Sequence, residues 1–249
     1  MVITTVEEAL EAVKKDPLSL QFIPEEFQTD EVCMIAVGQD GYAILYVKNQ
    51  TEKICAIAIA QAPFAFQCVR NQTRELCLIA VCMNGVLLEY VKKQTAEICY
   101  LAVKNSGFAL KYVKNQTKEL CLIAVKKEST VLRFVKNQTE EICLEAVQRN
   151  WRAIGYVINQ TEDLCIKAVT DSWEALEYIK DPSEEVCIIG INQKVKALQL
   201  IKNPTDRVCI QAIKRSIKAL QYIQNPSSVV IQVALELNPK AFNYINVQH

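Results

Sequence analysis

The sequence predicts an all-α fold, an α-solenoid (superhelix) built from about eleven stacked two-helix repeats of 22 residues. Two observations predict it. Apolar residues form two clusters with helical spacing in each 22-residue unit, and nine of the 11 cysteines recur at the same interval. The recurring cysteines are Cys33, Cys55, Cys77, Cys99, Cys121, Cys143, Cys165, Cys187 and Cys209. So short a unit cannot bury its own apolar face, so neighbouring repeats must stack.

The composition indicates a folded chain without a strong charge signal. The sequence has 249 residues, of which 51% are hydrophobic, and its 28 basic residues equal its 28 acidic ones. The segment from Met1 to Asp16 lacks the apolar core of a secretory signal, and no uncharged apolar run approaches the roughly 20 residues of a membrane helix. We expect an intracellular protein that is neither secreted nor inserted in a membrane.

Other columns keep the same 22-residue register. Taking as position 0 the Thr or Ser that precedes each unit, an alanine stands at +7 in every repeat from Ala36 to Ala234 except at Gly190. This register predicts one helical-repeat domain over residues 1–249. It consists of a degenerate N-terminal capping repeat at 1–28, nine regular repeats at 29–226 and a C-terminal capping repeat at 227–249, with two extra residues near Glu25.

Each unit is interpreted as two short helices. The apolar positions are +3, +4, +5, +7 and +8, then +14, +15, +17 and +18, and the +12 column between them holds glycine, serine or proline in several repeats. A single continuous helix with an eleven-residue period is the alternative. It would place Pro182, Pro204 and Pro226 in mid-helix at a cost of about 3 kcal/mol each, which favours the broken form.

The polar segment between repeats, YVKNQTEKIC at Tyr46–Cys55, is interpreted as a hinge. Its asparagine could end one helix in a left-handed conformation or accept the first amide protons of the next. The threonine is an equally good cap. In the late repeats proline replaces the glutamine, as in Asp181-Pro182-Ser183, and stands either at the first helical position or outside the cap.

The motif [YF]-V-K-N-Q-T-x-E-[IL]-C-[LI]-x-A-V, between Tyr46 and Val169, resembles a family of short helical repeats that is abundant in giant viruses of amoebae and in amoeba-associated bacteria. That family has no assigned function. The resemblance therefore implies a repeat fold and a viral or amoeba-linked origin, with the host-cell cytoplasm or the virion as the location. After about residue 180 the sequence departs from the pattern, because Lys-Asn-Gln becomes Lys-Asp-Pro or Lys-Asn-Pro.

The cysteine column is expected to be buried and chemically inert. Stacked helices hold equivalent atoms about 9 Å apart, beyond the roughly 7 Å limit between the Cα atoms of a disulfide. No CxxC pair exists, and the only histidine is His249, so no metal site is expected. Cys68 and Cys82 stand outside the column, and Cys82 is the better candidate for an exposed, reactive thiol.

Two further columns could serve nucleic acids. Aromatic rings at +17, such as Tyr46 and Tyr90, could stack on bases, and basic residues at +19, such as Lys48 and Arg70, could follow a phosphate backbone. We expect instead that the rings are buried in the second helix and that the basic residues complement helix ends.

The candidate binding site lies where the repeats differ. Trp151 and Trp173 occupy the +12 column one repeat apart, with Arg149, Arg152 and Glu174 beside them. Two tryptophans among charged residues are typical of an interaction hot spot, although they could also pack a loop. Position +6 is aliphatic from Ile35 to Ile123 and then varies, with Glu145 and Lys167 followed by Ile189 and Gln211, so the early repeats could present an apolar stripe.

These patterns favour a non-enzymatic scaffold or adaptor that binds a protein or peptide. The sequence has no phosphate-binding loop, dinucleotide fingerprint, nucleophile elbow or HExxH motif, and we expect no cofactor and no catalytic residues. The first alternative is a nucleic-acid-binding repeat that uses the Tyr and Lys columns. The second is a structural component that self-associates through its ends.

Overall fold

The structure, a computed structural model, describes residues 3–244. Eleven α-helices of 10 residues each follow one another along this part of the chain, and it contains no strand. They are α1 (Val6–Lys15), α2 (Asp30–Gln39), α3 (Glu52–Gln61), α4 (Arg74–Met83), α5 (Ala96–Asn105), α6 (Lys118–Lys127), α7 (Glu140–Arg149), α8 (Glu162–Asp171), α9 (Glu184–Gln193), α10 (Asp206–Arg215) and α11 (Ser228–Leu237).

The second helix of every repeat is a 3₁₀-helix of six residues rather than an α-helix. Two turns of 3₁₀-helix suffice to place +14, +15 and +18 against the core. These helices are Pro17–Phe22, Gly41–Tyr46, Pro63–Cys68, Gly85–Tyr90, Gly107–Tyr112, Ser129–Phe134, Trp151–Tyr156, Trp173–Tyr178, Val195–Leu200, Ile217–Tyr222 and Pro239–Tyr244. A short extra 3₁₀-helix, Glu25–Phe27, occupies the predicted insertion of the first repeat.

Threonine or serine at position 0 begins each α-helix. The hydroxyl of Thr51, for example, accepts a hydrogen bond from the amide of Ile54 at 3.4 Å. The late prolines stand just outside this cap, so the second of the two proline interpretations is correct. The prediction that the asparagine of the polar segment has a left-handed conformation is wrong in general. Asn225 (φ 49°) is the only non-glycine residue with positive φ between residues 3 and 244.

Each α-helix ends at position +10, and the backbone becomes extended at the following residue, +11. At Asn84 the dihedral angles are φ −150° and ψ 110°, its N–H still bonds to the carbonyl of Ala80, and its side chain accepts the N–H of Val86 in the next helix. The same residue therefore closes one helix and caps the other, and this break rules out the continuous helix.

Glycine at +12 permits close packing between repeats. A Cβ atom on Gly85 would lie 2.2 Å from the carbonyl oxygen of Ala102 in the next repeat. The exception in the +7 column has a similar cause, because a Cβ atom on Gly190 would lie 2.6 Å from Cδ1 of Leu176. Glycine therefore stands where a Cβ atom would collide with the backbone or with a side chain of a neighbouring repeat.

The contacts divide the chain into two compact units, Met1–Phe134 and Val135–His249. Within each unit every α-helix packs on the next one and on the adjacent 3₁₀-helices, which confirms an all-α repeat fold of the solenoid class. Positions +3, +4, +7 and +8 of the α-helix and +14, +15 and +18 of the 3₁₀-helix form the core. The single-domain assignment stays a prediction, and residues 245–249 of the predicted C-terminal capping repeat lie outside the described residues.

No helix within residues 3–244 has the length and apolar character required to cross a membrane.

Candidate interaction surface

Trp151 is the first residue of its 3₁₀-helix and is half-buried. The guanidinium carbon of Arg152 lies 4.2 Å from the centre of its ring, and the ring centroid of Tyr178 is 6.0 Å away at an angle of 57°. Stacked arginine and tilted aromatic contacts of this kind each favour a fixed ring orientation. Tyr178 is 40% exposed, so the cluster of Trp151, Arg152 and Tyr178 is open to solvent. We call these three residues the aromatic cluster.

Trp173 begins the next 3₁₀-helix and is also half-buried. Its backbone N–H donates to Oε1 of Gln193 at 2.9 Å, and the ammonium nitrogen of Lys194 lies 5.9 Å from its ring centre. The amide group of Gln193 also donates to the carbonyl oxygens of Val169 and Thr170. Gln193 therefore joins the Trp173 helix to both neighbouring α-helices, which fixes the backbone beneath the ring.

The structure brings only part of the predicted site together. Arg149 turns back along its own helix and pairs with Glu145 at 2.6 Å, away from the Trp151 ring contacts. The amide of Glu174 is capped by the Ser172 hydroxyl at 3.3 Å. Arg152 alone among the three charged residues contacts a tryptophan ring in the described structure.

Tyr178 and Lys194 were not predicted as site residues. The sequence feature that could have indicated Tyr178 is Gly155. The equivalent +16 position holds a larger residue in every other repeat from Leu45 to Asn243. A Cβ atom at Gly155 would lie 3.1 Å from Cδ1 of Tyr178. The glycine thus makes room for the tyrosine ring beside Trp151.

The glutamine of the polar segment joins adjacent repeats through its side chain. In Gln72, Oε1 accepts the N–H of Lys92 at 2.9 Å while Nε2 donates to the carbonyl of Tyr90 at 2.9 Å. We call this pair of bonds the amide bridge. Within the two units the N–H side of the bridge joins Gln28 to Lys48, Gln50 to Arg70, Gln72 to Lys92, Gln94 to Lys114, Gln138 to Ile158 and Gln160 to Lys180.

The aromatic residues at +17 and the basic residues at +19 make contacts within the protein. Arg70 donates to the carbonyls of Val47 and Lys48, and Lys92 donates to the carbonyl of Arg70 at 3.0 Å. These cations thus satisfy carbonyl groups at the end of the preceding 3₁₀-helix. The expectation of fully buried rings at +17 is wrong: Tyr46 and Tyr90 are half-buried, since +17 lies at the edge of the core and +18 points into it.

All eleven cysteines are free thiols, and the nine in the repeated column are buried. Burial, with a smaller contribution from Glu162, raises the pKa of Cys165 to about 11. Cys68 is half-buried and Cys82 is exposed. The exposure predicted for Cys82 is confirmed, and its reactivity stays a prediction.

Two further features are the possible metal ligands and the aliphatic residues at +6. Residues 3–244 contain no group of three His, Cys, Asp or Glu side chains arranged to hold a metal ion. The aliphatic residues at +6 are half-buried from Ile35 to Ile57, and Ile79 is 36% exposed. An aliphatic stripe is therefore partly open to solvent in residues 1–134.

The family described as Domain of unknown function (DUF4116) matches the chain twice, at residues 7–50 and 73–118. Each match is about two repeats long. No curated protein and no solved structure matches the chain. The two matched segments, which fold as helical repeats in this chain, are therefore similar to a family to which no activity is assigned.

Proposed function

We propose that this chain is a non-enzymatic scaffold or adaptor that binds a protein or peptide through the surface around Trp151 and Trp173. The observation that carries the proposal is the aromatic cluster: a half-exposed tryptophan stacked on Arg152 and tilted against an exposed tyrosine. Tryptophan, tyrosine and arginine are the residue types most enriched at interface hot spots.

The geometry supports binding because the rings are already ordered. Arg152 and Tyr178 contact the Trp151 ring, Lys194 lies near the Trp173 ring, and Gln193 holds the Trp173 backbone. Side chains held in place before association lose little conformational entropy when a partner covers them. A partner of this surface would present apolar or aromatic groups and a carboxylate for Arg152.

A nucleic-acid function receives less support. Arg70, Lys92 and Lys114, three of the basic residues that would contact phosphates, already donate to backbone carbonyls. The net charge of zero also provides no attraction to a polyanion. The resemblance of the sequence motif supports a giant-virus protein that acts in the host-cell cytoplasm or the virion.

Capture of partners from a lysate of virus-infected amoebae tests the proposal. The wild-type chain, the double variant Trp151→Ala/Trp173→Ala and the control variant Phe64→Ala are immobilised at equal density after circular dichroism verifies their helix content. Phe64 is a suitable control because it is an aromatic residue, 41% exposed, outside the proposed surface. We expect partners that the wild type and the control retain and the double variant loses. An identical partner list for all three proteins would contradict the proposed surface.

A further inference from the structure

Two cavities of the second unit lie at equivalent places in consecutive repeats. The first has a volume of about 410 Å³ and is lined by Tyr178, Pro182, Cys187 and Lys202 among others. The second has a volume of about 720 Å³, and Ile201, Lys202 and Pro204 are among the residues that line both. Residues that line the second cavity follow those of the first by 22 positions, as Cys209 follows Cys187 and Val230 follows Val208.

The cavities coincide with missing amide bridges. Pro182 and Pro204 stand where Gln138 and Gln160 stand in the two preceding repeats of this unit. A proline ring carries no polar atom and cannot reach the next repeat. The space that a glutamine side chain fills elsewhere therefore opens beside each proline.

The backbone groups that the glutamine would satisfy remain in place. By the register of the amide bridge, Pro182 corresponds to the N–H of Lys202 and the carbonyl of Leu200, and Pro204 corresponds to the N–H of Gln224 and the carbonyl of Tyr222. Within the described residues none of these four groups has a hydrogen-bond partner in the protein. Each cavity thus presents one free donor and one free acceptor, two residues apart in the chain.

We propose that these two cavities bind primary carboxamides, namely glutamine side chains of a peptide partner. This inference rests on the proposed function, because it assigns the chemistry of part of the bound peptide. The oxygen of the ligand amide accepts the N–H of Lys202 or Gln224, and its nitrogen donates to the carbonyl of Leu200 or Tyr222. The ligand then repeats the contacts that Gln160 makes to Lys180 at 3.0 Å and to Tyr178 at 2.9 Å.

The pairing of donor and acceptor selects an amide over other groups. A carboxylate could accept the N–H of Lys202 but would face the carbonyl oxygen of Leu200 without a proton to share. An apolar side chain would leave both backbone groups without a partner, which disfavours it relative to an amide. A primary amide has a donor and an acceptor on one carbon atom and satisfies both.

Each cavity is also lined by a cysteine of the repeated column, Cys187 in the first and Cys209 in the second. In three earlier repeats the cysteine Sγ lies 3.7–3.8 Å from Oε1 of the bridging glutamine, as for Cys99 with Gln94. Beside the cavities, Cys187 and Cys209 instead approach the carbonyl oxygens of Pro182 and Pro204, at 3.8 and 3.9 Å. A cysteine thiol therefore borders the glutamine amide in those repeats and borders each cavity here, where the amide is absent.

The spacing of the cavities specifies a peptide pattern. Packed helices lie about 8–10 Å apart, and we take this as the spacing of equivalent atoms in adjacent repeats. In a polyproline II segment, residues i and i+3 lie on one face about 9 Å apart, since each residue rises about 3.1 Å. A Gln-x-x-Gln peptide in this conformation can fill both cavities. Tyr178 borders the first cavity and contacts Trp151, which links the cavities to the aromatic cluster.

Nuclear magnetic resonance of the ¹⁵N-labelled full chain tests the proposal. The probes are N-acetyl-glutamine methylamide, N-acetyl-glutamate methylamide and N-acetyl-leucine methylamide. We expect saturable downfield shifts of the amide protons of Lys202 and Gln224 with the glutamine probe, and binding at least about tenfold weaker with the other two. Equal affinities for the glutamine and glutamate probes, or no response at either amide, would overturn the proposal.

Three variants make the assignment specific. In Pro182→Gln the glutamine probe should no longer shift the amide proton of Lys202 but should still shift that of Gln224. Pro204→Gln should give the opposite result. The reason is that each variant supplies an internal side-chain amide. Gln160→Pro should create a new response at Lys180. A Lys202 response that persists in a folded Pro182→Gln protein would overturn the assigned site.

The two proposals fail separately. The Trp151→Ala/Trp173→Ala protein should keep the response to the glutamine probe, since neither tryptophan lines a cavity. In the lysate experiment, Pro182→Gln/Pro204→Gln should lose partners that depend on glutamine side chains. Unchanged capture by this variant would overturn the use of peptide glutamines and leave the tryptophan surface standing.

Discussion

At the scale of single residues, the glutamine of the repeated Asn-Gln-Thr segment has a larger role than a turn residue. Its amide group satisfies an N–H and a carbonyl of the following repeat, where the 3₁₀-helix has ended and no helical partner is available. The neighbouring asparagine, by contrast, is exposed, as at Asn71. The Asn-Gln-Thr segment thus contributes to stability mainly through its glutamine and its threonine cap.

Replacing Gln72 by methionine should destabilise the protein by about 1–3 kcal/mol. Methionine has a similar length but leaves the N–H of Lys92 and the carbonyl of Tyr90 without their partners. Urea unfolding followed by circular dichroism measures the change. Asn71→Ala, on the adjacent exposed residue, should change the stability by less than about 0.5 kcal/mol. Equal effects of the two substitutions would contradict the role given to the amide bridge.

The buried cysteines predict a loss of stability in alkaline solution. Burial raises the pKa of Cys33, Cys165, Cys187 and Cys209 to about 11, whereas an unfolded thiol has a pKa of about 8.5. Above about pH 8.5 the unfolded chain binds fewer protons than the native one. The stability contributed by the neutral thiols is therefore complete below this pH and is lost as the pH rises towards about 11.

The urea midpoint should accordingly fall between about pH 8 and about pH 10. In Cys165→Ala the fall should be smaller, because one of the titrating groups is absent. Cys82→Ala is the matched control, since Cys82 is exposed, and its pH dependence should equal that of the wild type. A Cys165→Ala protein with an unchanged slope would contradict the assignment.

At the scale of elements, the junction at +11 determines how the two helices of a repeat meet. One extended residue ends the α-helix and caps the 3₁₀-helix, so the helices are separated by no further loop. The next residue, at +12, then lies against the α-helix of the following repeat. Small residues are needed there when the approach is closest, as at Gly41 and Gly85.

Two glycine substitutions should have opposite effects on stability. Gly85→Ala should destabilise the fold by about 1–3 kcal/mol, because its Cβ atom would lie 2.2 Å from the carbonyl oxygen of Ala102. Gly38→Ala should stabilise it by up to about 1 kcal/mol, since this glycine lies within α2 and its Cβ atom would be 3.8 Å from the nearest atom of Ile57. Thermal unfolding of both variants measures the difference. The same sign for both would contradict the packing described for +12.

At the scale of the whole molecule, contacts are made mainly between neighbours in the chain. Each α-helix packs on the helix before it and the helix after it within its unit. Stability in such a fold is approximately a sum of repeat and nearest-neighbour contributions. The described helices form two units on this basis, each with its own buried core.

The two units should fold as separate fragments. Residues 1–134 and 135–249, expressed independently, should each have a helical circular dichroism spectrum and a cooperative thermal transition, because each unit contains consecutive packed repeats. A fragment of residues 1–46, with only α1 and α2, is the control and should be far less helical. A non-helical fragment 135–249 would contradict the division into units.

The repeat length, the two-helix unit, the threonine caps and the buried cysteines could all be predicted from the sequence. These follow from local periodicity and from residue types whose preferences act within a few positions, as at Thr51 and Cys55. It also located Trp151 and Trp173 as departures from the repeat. The folded structure was needed to see that the second helix is 3₁₀, that Tyr178 lies beside Trp151, and that a glutamine joins adjacent repeats. It likewise revealed cavities where Pro182 and Pro204 replace that glutamine. These depend on which atoms of one repeat reach the next, a distance that is set by packing between elements.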